Sequence, residues 1–249
     1  MTFKFTAIAG ALAAGVSSVA MADDTALPFP GEITGNIGVY SDYVLRGNTN
    51  YLENDGATIQ GGIDYAHPSG FYLGYWGSTL DYSLTDSGSR DAFENDFNIG
   101  YNGSITEDLG FTVGGTYYYY YESDVDSDVF EVLLGLNYKD FSLTTQTITQ
   151  DVVWGNAGDT YILGSYSHPL PKDFTLNAAV GLYYYKDSGD YEADLNTTET
   201  FNFRHATLGL SHPLGTTGAD WSLNYIIGGK TRSDEDLKNK VVLGLSYAF

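Results

Sequence analysis

Five charged residues are candidates for a polar site, because each falls in or beside a segment with large apolar side chains at alternate positions. They are Asp42, Arg46, Asp64, Glu131 and Arg204. In a β-strand such a residue lies on the face opposite the apolar side chains. A guanidinium and a carboxylate that share this face can form a bidentate ion pair. We expect Arg46 to pair with Asp42 or Asp64, either contacting a solute or only holding the first loop.

Nucleophilic catalysis is the main chemical alternative to such a polar site. His205 is the only histidine inside a predicted strand. A serine nucleophile needs a base held against it and a third group that orients the base. The sequence has no G-x-S-x-G string, and Ser211 lies too far along the strand to pair with His205. We assign no catalytic residue, expect no enzyme, and keep a barrel lipid hydrolase as the weaker alternative.

Two patterns resemble metal sites, and neither is complete. Three His-Pro pairs, at His67, His168 and His212, are better explained as turns, since proline is tolerated where strands end. The alternating aspartates of residues 124–128 have the spacing that opens a calcium loop. They lack the glycine and the glutamate that such a loop requires. The sequence predicts no metal ion and no cofactor.

The elements that position these residues are predicted to be strands. The chain ends in a segment with Val241, Leu243, Leu245, Tyr247 and Phe249 at alternate positions. Period-2 alternation indicates a strand with two different faces. About twelve strand-like segments occur, several of them with clear alternation, near 33–45, 58–67, 71–82, 91–102, 109–121, 129–139, 141–151, 160–168, 174–185, 200–212, 220–230 and 240–249. The parity changes in the tenth segment, which predicts a bulge. Misreading the weaker segments would give ten or fourteen strands.

The predicted connections alternate between two kinds. Even-numbered connections are compact, whereas odd-numbered ones are longer and acidic. Outer-membrane barrels have short periplasmic turns and longer external loops, with an even number of strands. Most of the segments also approach the length of about 9 to 11 residues that a tilted transmembrane strand needs. The pattern therefore favours a transmembrane barrel with the longer connections outside the cell.

The amino terminus predicts a removable export signal over residues 1–22. Lys4 supplies the positive charge, an apolar run follows, and Ala20-Met21-Ala22 forms an A-x-A-like cleavage site. Residues 23–249 would then form one barrel domain. The sequence contains no cysteine, so no disulfide stabilises the fold.

Composition agrees with an exported barrel and excludes one class of partner. Charged residues make up 17% of the chain, below the roughly 25% of soluble domains, while tyrosine occurs 22 times and glycine 30 times. Aromatic residues and glycine suit strands between lipid and a narrow lumen. The formal charge of −21 excludes nucleic-acid binding through a basic patch.

The first third of the barrel domain resembles the TorF-like family of outer-membrane porins, bacterial proteins of the Gcw_chp type. The resemblance is carried by three strings: GVYSDYVLRG at residues 38–47, QGGIDY at 60–65 and GFYLGYWGS at 70–78. It implies a barrel and a pore, without specifying a solute.

We therefore expect an all-β, antiparallel transmembrane β-barrel of about twelve strands in the bacterial outer membrane. Its expected function is passive diffusion of ions or small solutes through a narrow pore, biased toward cations or small neutral solutes by acidic loops. Expected partners are outer-membrane lipid, lipopolysaccharide and the barrel-assembly machinery, which would recognise Phe249. A plugged structural or adhesive barrel and a soluble β-sandwich stay open as alternatives. No pattern in the sequence specifies an oligomeric state.

Overall fold

Twelve β-strands form a closed barrel in the computed structural model, which describes residues 29–83, 92–121 and 123–249. They are β1 Glu32–Tyr40, β2 Thr58–Ala66, β3 Phe71–Thr79, β4 Phe93–Ser104, β5 Leu109–Tyr120, β6 Val129–Tyr138, β7 Phe141–Ile148, β8 Thr160–Pro169, β9 Thr175–Tyr184, β10 Phe201–Pro213, β11 Ala219–Gly228 and β12 Lys240–Ala248. The described residues also include a 3₁₀ turn, Leu45–Gly47, and a short helix, α1 Glu192–Leu195. No helix in these ranges is long and apolar enough to cross a membrane. The predicted signal peptide lies outside the described residues.

The barrel closes because β1 pairs with both β2 and β12. Every strand runs antiparallel to its neighbours, and the closing register runs from Asn36 opposite Ala248 to Tyr40 opposite Gly244. A closed ring leaves no sheet edge with unpaired backbone groups, as a transmembrane sheet requires. The predicted antiparallel barrel is confirmed, with twelve strands rather than ten or fourteen. An open β-sandwich is excluded.

Side-chain alternation separates an apolar outer surface from a polar lumen. In β6, Leu134 on the outer face is 51% exposed, whereas Glu131 on the inner face is 1% exposed. The other strands repeat this arrangement, with isoleucine, leucine, valine and aromatic residues outside. Burying such side chains in lipid is favourable by roughly 25 cal/mol per Å². The barrel therefore presents its apolar side chains to the membrane and its charged ones to the interior.

The connections divide the barrel into two different ends. The short-turn end has connections 67–70, 105–108, 139–140, 170–174 and 214–218. The long-loop end has loop 1 (41–57), loop 2 (described at 80–83 and 92), loop 3 (described at 121 and 123–128), loop 4 (149–159), loop 5 (185–200) and loop 6 (229–239). This alternation of short and long connections agrees with the sequence prediction.

Two details of the strands matter for the interior. The first strand ends at Tyr40, whereas the sequence predicted a strand to residue 45. The alternation continues past Tyr40, but the chain leaves the wall there and loop 1 begins. In β10 the pairing with β9 shifts between Phe203 and His205, which confirms the predicted bulge. The bulge lets Arg204 and His205 both lie in the buried interior.

Near the short-turn end the inner wall carries several glycines together with Tyr72, whose hydroxyl packs against Gly100 and Gly114, and near the long-loop end it carries mainly large side chains. The inward-facing glycines near the short-turn end include Gly74, Gly100 and Gly135. Near the long-loop end the inner wall carries buried tyrosines and carboxylates, among them Tyr118 and Glu94. The interior is therefore constricted in the half nearest the long loops.

Phe249 closes the seam between the first and last strands. Its backbone N–H and carbonyl both bond to Gly35, at 2.9 and 2.7 Å. Its ring covers Gly35 so closely that a Cβ added there would lie 2.6 Å from a ring carbon. Gly35 is needed because any side chain there would displace the ring.

We predict that Phe249→Ala weakens the seam and lowers the yield of folded barrel. Loss of the ring removes about 1 to 3 kcal/mol of apolar contact. The measurement is the heat-induced shift in electrophoretic mobility that distinguishes folded from unfolded barrel. Phe141→Ala is the control, because Phe141 is 59% exposed, close to the 61% of Phe249, but lies in β7. An equal loss in both variants would contradict a special role for Phe249.

Candidate functional site

Loop 1 folds into the barrel and is tied to the wall on two sides. On one side the backbone N–H of Tyr43 donates to the carbonyl of Asn54 at 2.9 Å, and the side-chain amide of Asn54 donates to the Thr79 carbonyl of β3 at 3.1 Å. On the other side the Asn50 amide donates to the Asp236 carbonyl of loop 6 at 2.9 Å. These bonds hold the loop inside the long-loop end.

The tip of loop 1, residues Leu45–Gly47, has an unusual backbone. Arg46 and Gly47 both have positive φ angles, of 48° and 70°. Gly47 is required by a close approach, since a Cβ there would overlap ring atoms of His205. A residue other than glycine in this conformation costs about 1 kcal/mol. The contacts of the Arg46 side chain must offset that cost.

The Arg46 guanidinium is buried at the centre of the constricted half. Its Nη2 donates to Glu131 Oε2 at 2.6 Å, and that ion pair is 6% and 1% exposed at its two side chains. The same nitrogen donates to the Tyr118 hydroxyl at 3.2 Å, and Nη1 donates to the Tyr183 hydroxyl at 3.1 Å. The guanidinium carbon lies 5.2 Å from the ring centre of Tyr161. Arg46 therefore connects loop 1 to β5, β6, β8 and β9 at one point.

The predicted pairing of Arg46 with Asp42 or Asp64 is wrong. The carboxylate partner is Glu131, on the far wall. Asp42 lies in loop 1 and pairs with Lys240 at 2.8 Å, while Asp64 faces the lumen from β2, across from Gly74. The prediction failed because it continued β1 to residue 45, which placed Arg46 on the wall instead of on a loop that crosses the lumen.

Two further carboxylates, missed in the sequence analysis, lie on the wall near Arg46. Glu94 and Asp96 occupy successive inward positions of β4 and are 0% and 3% exposed. Both oxygens of Glu94 and Oδ1 of Asp96 are buried without a hydrogen-bond partner among the described residues. The signal was present, because Phe93, Phe97 and other apolar residues alternate with these acids. We call Glu94, Asp96 and Glu131 the acidic wall.

An arginine–tyrosine wall is formed by Tyr183 of β9, Tyr185 at the start of loop 5 and Arg204 of β10. Tyr183 and Tyr185 stack with ring centres 4.4 Å apart and planes inclined by 6°. Arg204 lies over Tyr183, and its Nη1 donates to the Tyr185 hydroxyl at 3.4 Å. Its Nε donates to the carbonyl of Arg46 at 3.2 Å. The predicted lumen residue Arg204 is therefore in contact with the tip of loop 1, as is Glu131.

The mouth cavity, of about 660 Å³, lies between loop 1 and the arginine–tyrosine wall. Leu45, Arg46 and Arg204 line it on the lumen side, and Trp154 of loop 4 and Arg232 of loop 6 line it nearer the surface. Arg232 pairs with Asp159 at 3.0 Å and lies over the ring of Tyr185. Cavities of roughly 300 to 1,000 Å³ are typical of sites for small molecules.

In the described ranges, His205 is not paired with a serine nucleophile, and the histidines do not form a metal-binding cluster. His205 is fully buried inside the barrel, where Nε2 lies 2.7 Å from the Tyr161 hydroxyl and Nδ1 lies 3.3 Å from Thr207 Oγ1. The His-Pro pairs fall in separate regions at the short-turn end, with His168 bonded to Asp140. Within 29–83, 92–121 and 123–249, no group of three or more potential ligands could hold a metal ion.

The fold is a closed twelve-stranded barrel similar to those of solved outer-membrane porins. The structure titled "KdgM porin" has a TM-score of 0.56 at 9% identity, covering 87% of this chain and 99% of that chain. A KdgM structure with disordered oligogalacturonate has a TM-score of 0.52 at 8% identity, covering 87% and 98%. The NanC porin has a TM-score of 0.53 at 11% identity, covering 87% and 99%. At these identities the likeness shows a common fold.

The chain belongs to a bacterial protein family of unknown function, Gcw_chp, whose sequence profile matches residues 24–238. The Gcw_chp type given by the sequence resemblance is thereby confirmed, whereas the TorF-like name is not. A search of curated protein sequences gives no match.

We predict that Arg46→Ala destabilises the barrel by about 3 kcal/mol, because it leaves Glu131 buried without a counter-charge. Removing both charges in Arg46→Ala with Glu131→Leu recovers part of the loss. The measurement is the midpoint of unfolding in urea for the two single variants and the double variant. Additive losses would show that the two residues do not interact.

We also predict a pH-dependent gain in stability for Glu53→Gln in loop 1. Burial raises the pKa of the Glu53 carboxyl, while the hydrogen bond from Tyr82 partly lowers it. A raised pKa means that the charged form costs the folded state stability above the ordinary value of about 4.3. Glutamine removes this cost and can still accept the Tyr82 bond, so the gain grows from pH 4 to pH 8.

The control for Glu53→Gln is Glu107→Gln, which changes an exposed residue of the turn at 105–108. Unfolding midpoints at both pH values are compared with those of the unchanged protein. A gain that is equal at pH 4 and pH 8 would contradict a raised pKa for Glu53.

Proposed function

We propose that this protein is a narrow porin-like channel of the bacterial outer membrane and not an enzyme. The observation that carries the proposal is the mouth cavity inside a closed, polar-lined barrel. It lies at the long-loop end, and the other half of the lumen carries inward-facing glycines such as Gly100 and Gly135. Loop 1 narrows the passage at Arg46. Passive diffusion would require only a polar path that runs from the mouth cavity past Arg46 to the short-turn end.

The two ends of the barrel support an orientation. Short periplasmic turns and longer external loops are general in outer-membrane barrels. The long-loop end would then face outward among lipopolysaccharide, and the seam at Phe249 would be available to the assembly machinery in the periplasm. An export signal over residues 1–22 would direct the chain there.

A bias toward cations or small neutral solutes is supported by the acidic wall. Glu94, Asp96 and Glu131 lie on the inner face of the barrel wall near loop 1, and only Arg46 forms an ion pair with a member of this set in the described ranges. Rings of carboxylates favour cations in channels. Arg46, Glu131 and Arg204 would contact a passing solute, whereas Asp64 would line the wider half and Asp42 would hold loop 1 through Lys240.

A plugged structural barrel is the second candidate, because part of the lumen is packed. Tyr43 of loop 1 joins a buried apolar cluster of the long-loop end, whose other members are Leu80, Tyr118, Tyr120, Val129, Ile148 and Val152. If this packing extends across the whole section, the barrel passes no solute and serves to display its loops.

The test is single-channel current from the refolded barrel in a planar bilayer under a potassium chloride gradient. We predict discrete steps and a reversal potential that indicates cation selectivity. Glu94→Gln with Asp96→Asn should lower the cation-to-anion permeability ratio about twofold or more, since it removes wall charges. The control is Glu107→Gln at the short-turn end. A folded barrel without current would establish the plugged alternative.

A further inference from the structure

Arg204 carries a buried charge that the described residues do not neutralise. It is 8% exposed, and its bonds go to neutral acceptors: the carbonyls of Arg46 and Lys230 and the hydroxyl of Tyr185. The other two arginines of the mouth cavity each have a carboxylate partner, Glu131 for Arg46 and Asp159 for Arg232. Burying an unpaired charge is costly, so a buried arginine in a cavity wall is a place for an anionic ligand group.

The same cavity also presents carboxylates without a cationic partner. Asp194 of α1, Glu235 of loop 6 and Glu53 of loop 1 line it, and none forms an ion pair in the described part of the chain. Asp194 and Glu235 are exposed at the mouth, whereas Arg204 is buried deeper. Among the described residues, the cavity therefore has an unpaired positive charge at its inner end, on Arg204, and two unpaired carboxylates at its outer rim, on Asp194 and Glu235.

We propose that the mouth cavity binds a small zwitterion, a free amino acid, with its carboxylate on Arg204 and its ammonium toward Asp194 and Glu235. This inference rests on the proposed channel and names the solute class of its entrance. A volume of about 660 Å³ accommodates an amino acid with bridging water. Trp154 of loop 4 lines the same cavity and would be close to the bound side chain.

Charge excludes the simpler ligand classes. A monoanion would satisfy Arg204 but would meet the carboxylates at the rim. A simple cation would satisfy the rim and leave Arg204 unpaired. A solute with both charges can pair its carboxylate with Arg204 and its ammonium with the carboxylates at the rim. Opposite charges that meet across an interface are favoured, whereas like charges repel.

The experiment titrates the refolded barrel in detergent with L-glutamine and follows tryptophan fluorescence, for which Trp154 is the reporter. Two probes are glutamine with one charged group removed: glutaramate has no ammonium, and 4-aminobutanamide has no carboxylate. We expect saturable binding of glutamine and about tenfold weaker binding of both probes. Arg204→Gln should weaken glutamine and glutaramate about tenfold and leave 4-aminobutanamide unchanged. Lys139→Gln, in the turn at 139–140, is the charge-matched control and should change nothing.

The outcomes separate this inference from the channel itself. Glutaramate binding as tightly as glutamine, or glutamine binding that does not depend on Arg204, would overturn the zwitterion site. The comparison of the three probes on the unchanged protein needs no variant, so it decides even if Arg204→Gln does not fold. Glutamine binding without current in the bilayer would retain the site and refute the channel. Current without glutamine binding would retain the channel and refute the amino-acid site.

Discussion

The buried ion pair of Arg46 and Glu131 is the interaction on which the interior depends. It joins a loop that leaves the wall after β1 to a strand on the opposite side of the barrel. Breaking a buried pair by removing one partner costs about 3 to 5 kcal/mol, because the remaining charge is left without compensation. The pair therefore fixes the tip of loop 1 in the lumen, next to the acidic wall and the arginine–tyrosine wall, and so determines one side of the mouth cavity.

The wall of the barrel and the side chains packed inside it are determined by different interactions. The wall is determined by the hydrogen bonding of backbone groups in lipid and by alternating side chains. The interior is determined by how large polar residues pack around one guanidinium. Tyr118 and Tyr183 accept hydrogen bonds from Arg46 through their hydroxyls, and Tyr161 contacts it through its ring. These tyrosines therefore both fill the interior and bind the guanidinium.

Most of the fold could be predicted from the sequence, because alternation and turn composition are local signals. They gave twelve strands, the two kinds of connection and the bulge in β10. The arrangement of the site was not accessible in the same way. Arg46 pairs with a residue 85 positions away, across the lumen, and no local pattern specifies that contact. Asp42 and Arg46 were assigned to a strand because alternation continues past Tyr40. The positive φ angle of Gly47 and its close approach to His205 depend on where β10 lies, which only the closed barrel determines.

The most direct test of this account is the conductance of Arg46→Ala in a planar bilayer, measured on barrel shown to be folded by its heat-dependent mobility. If Arg46 holds loop 1 across the passage, the variant should give current steps larger than those of the unchanged protein, with a shifted reversal potential. Folded Arg46→Ala barrel with the same conductance and the same reversal potential would contradict the account, because loop 1 would then not limit the path.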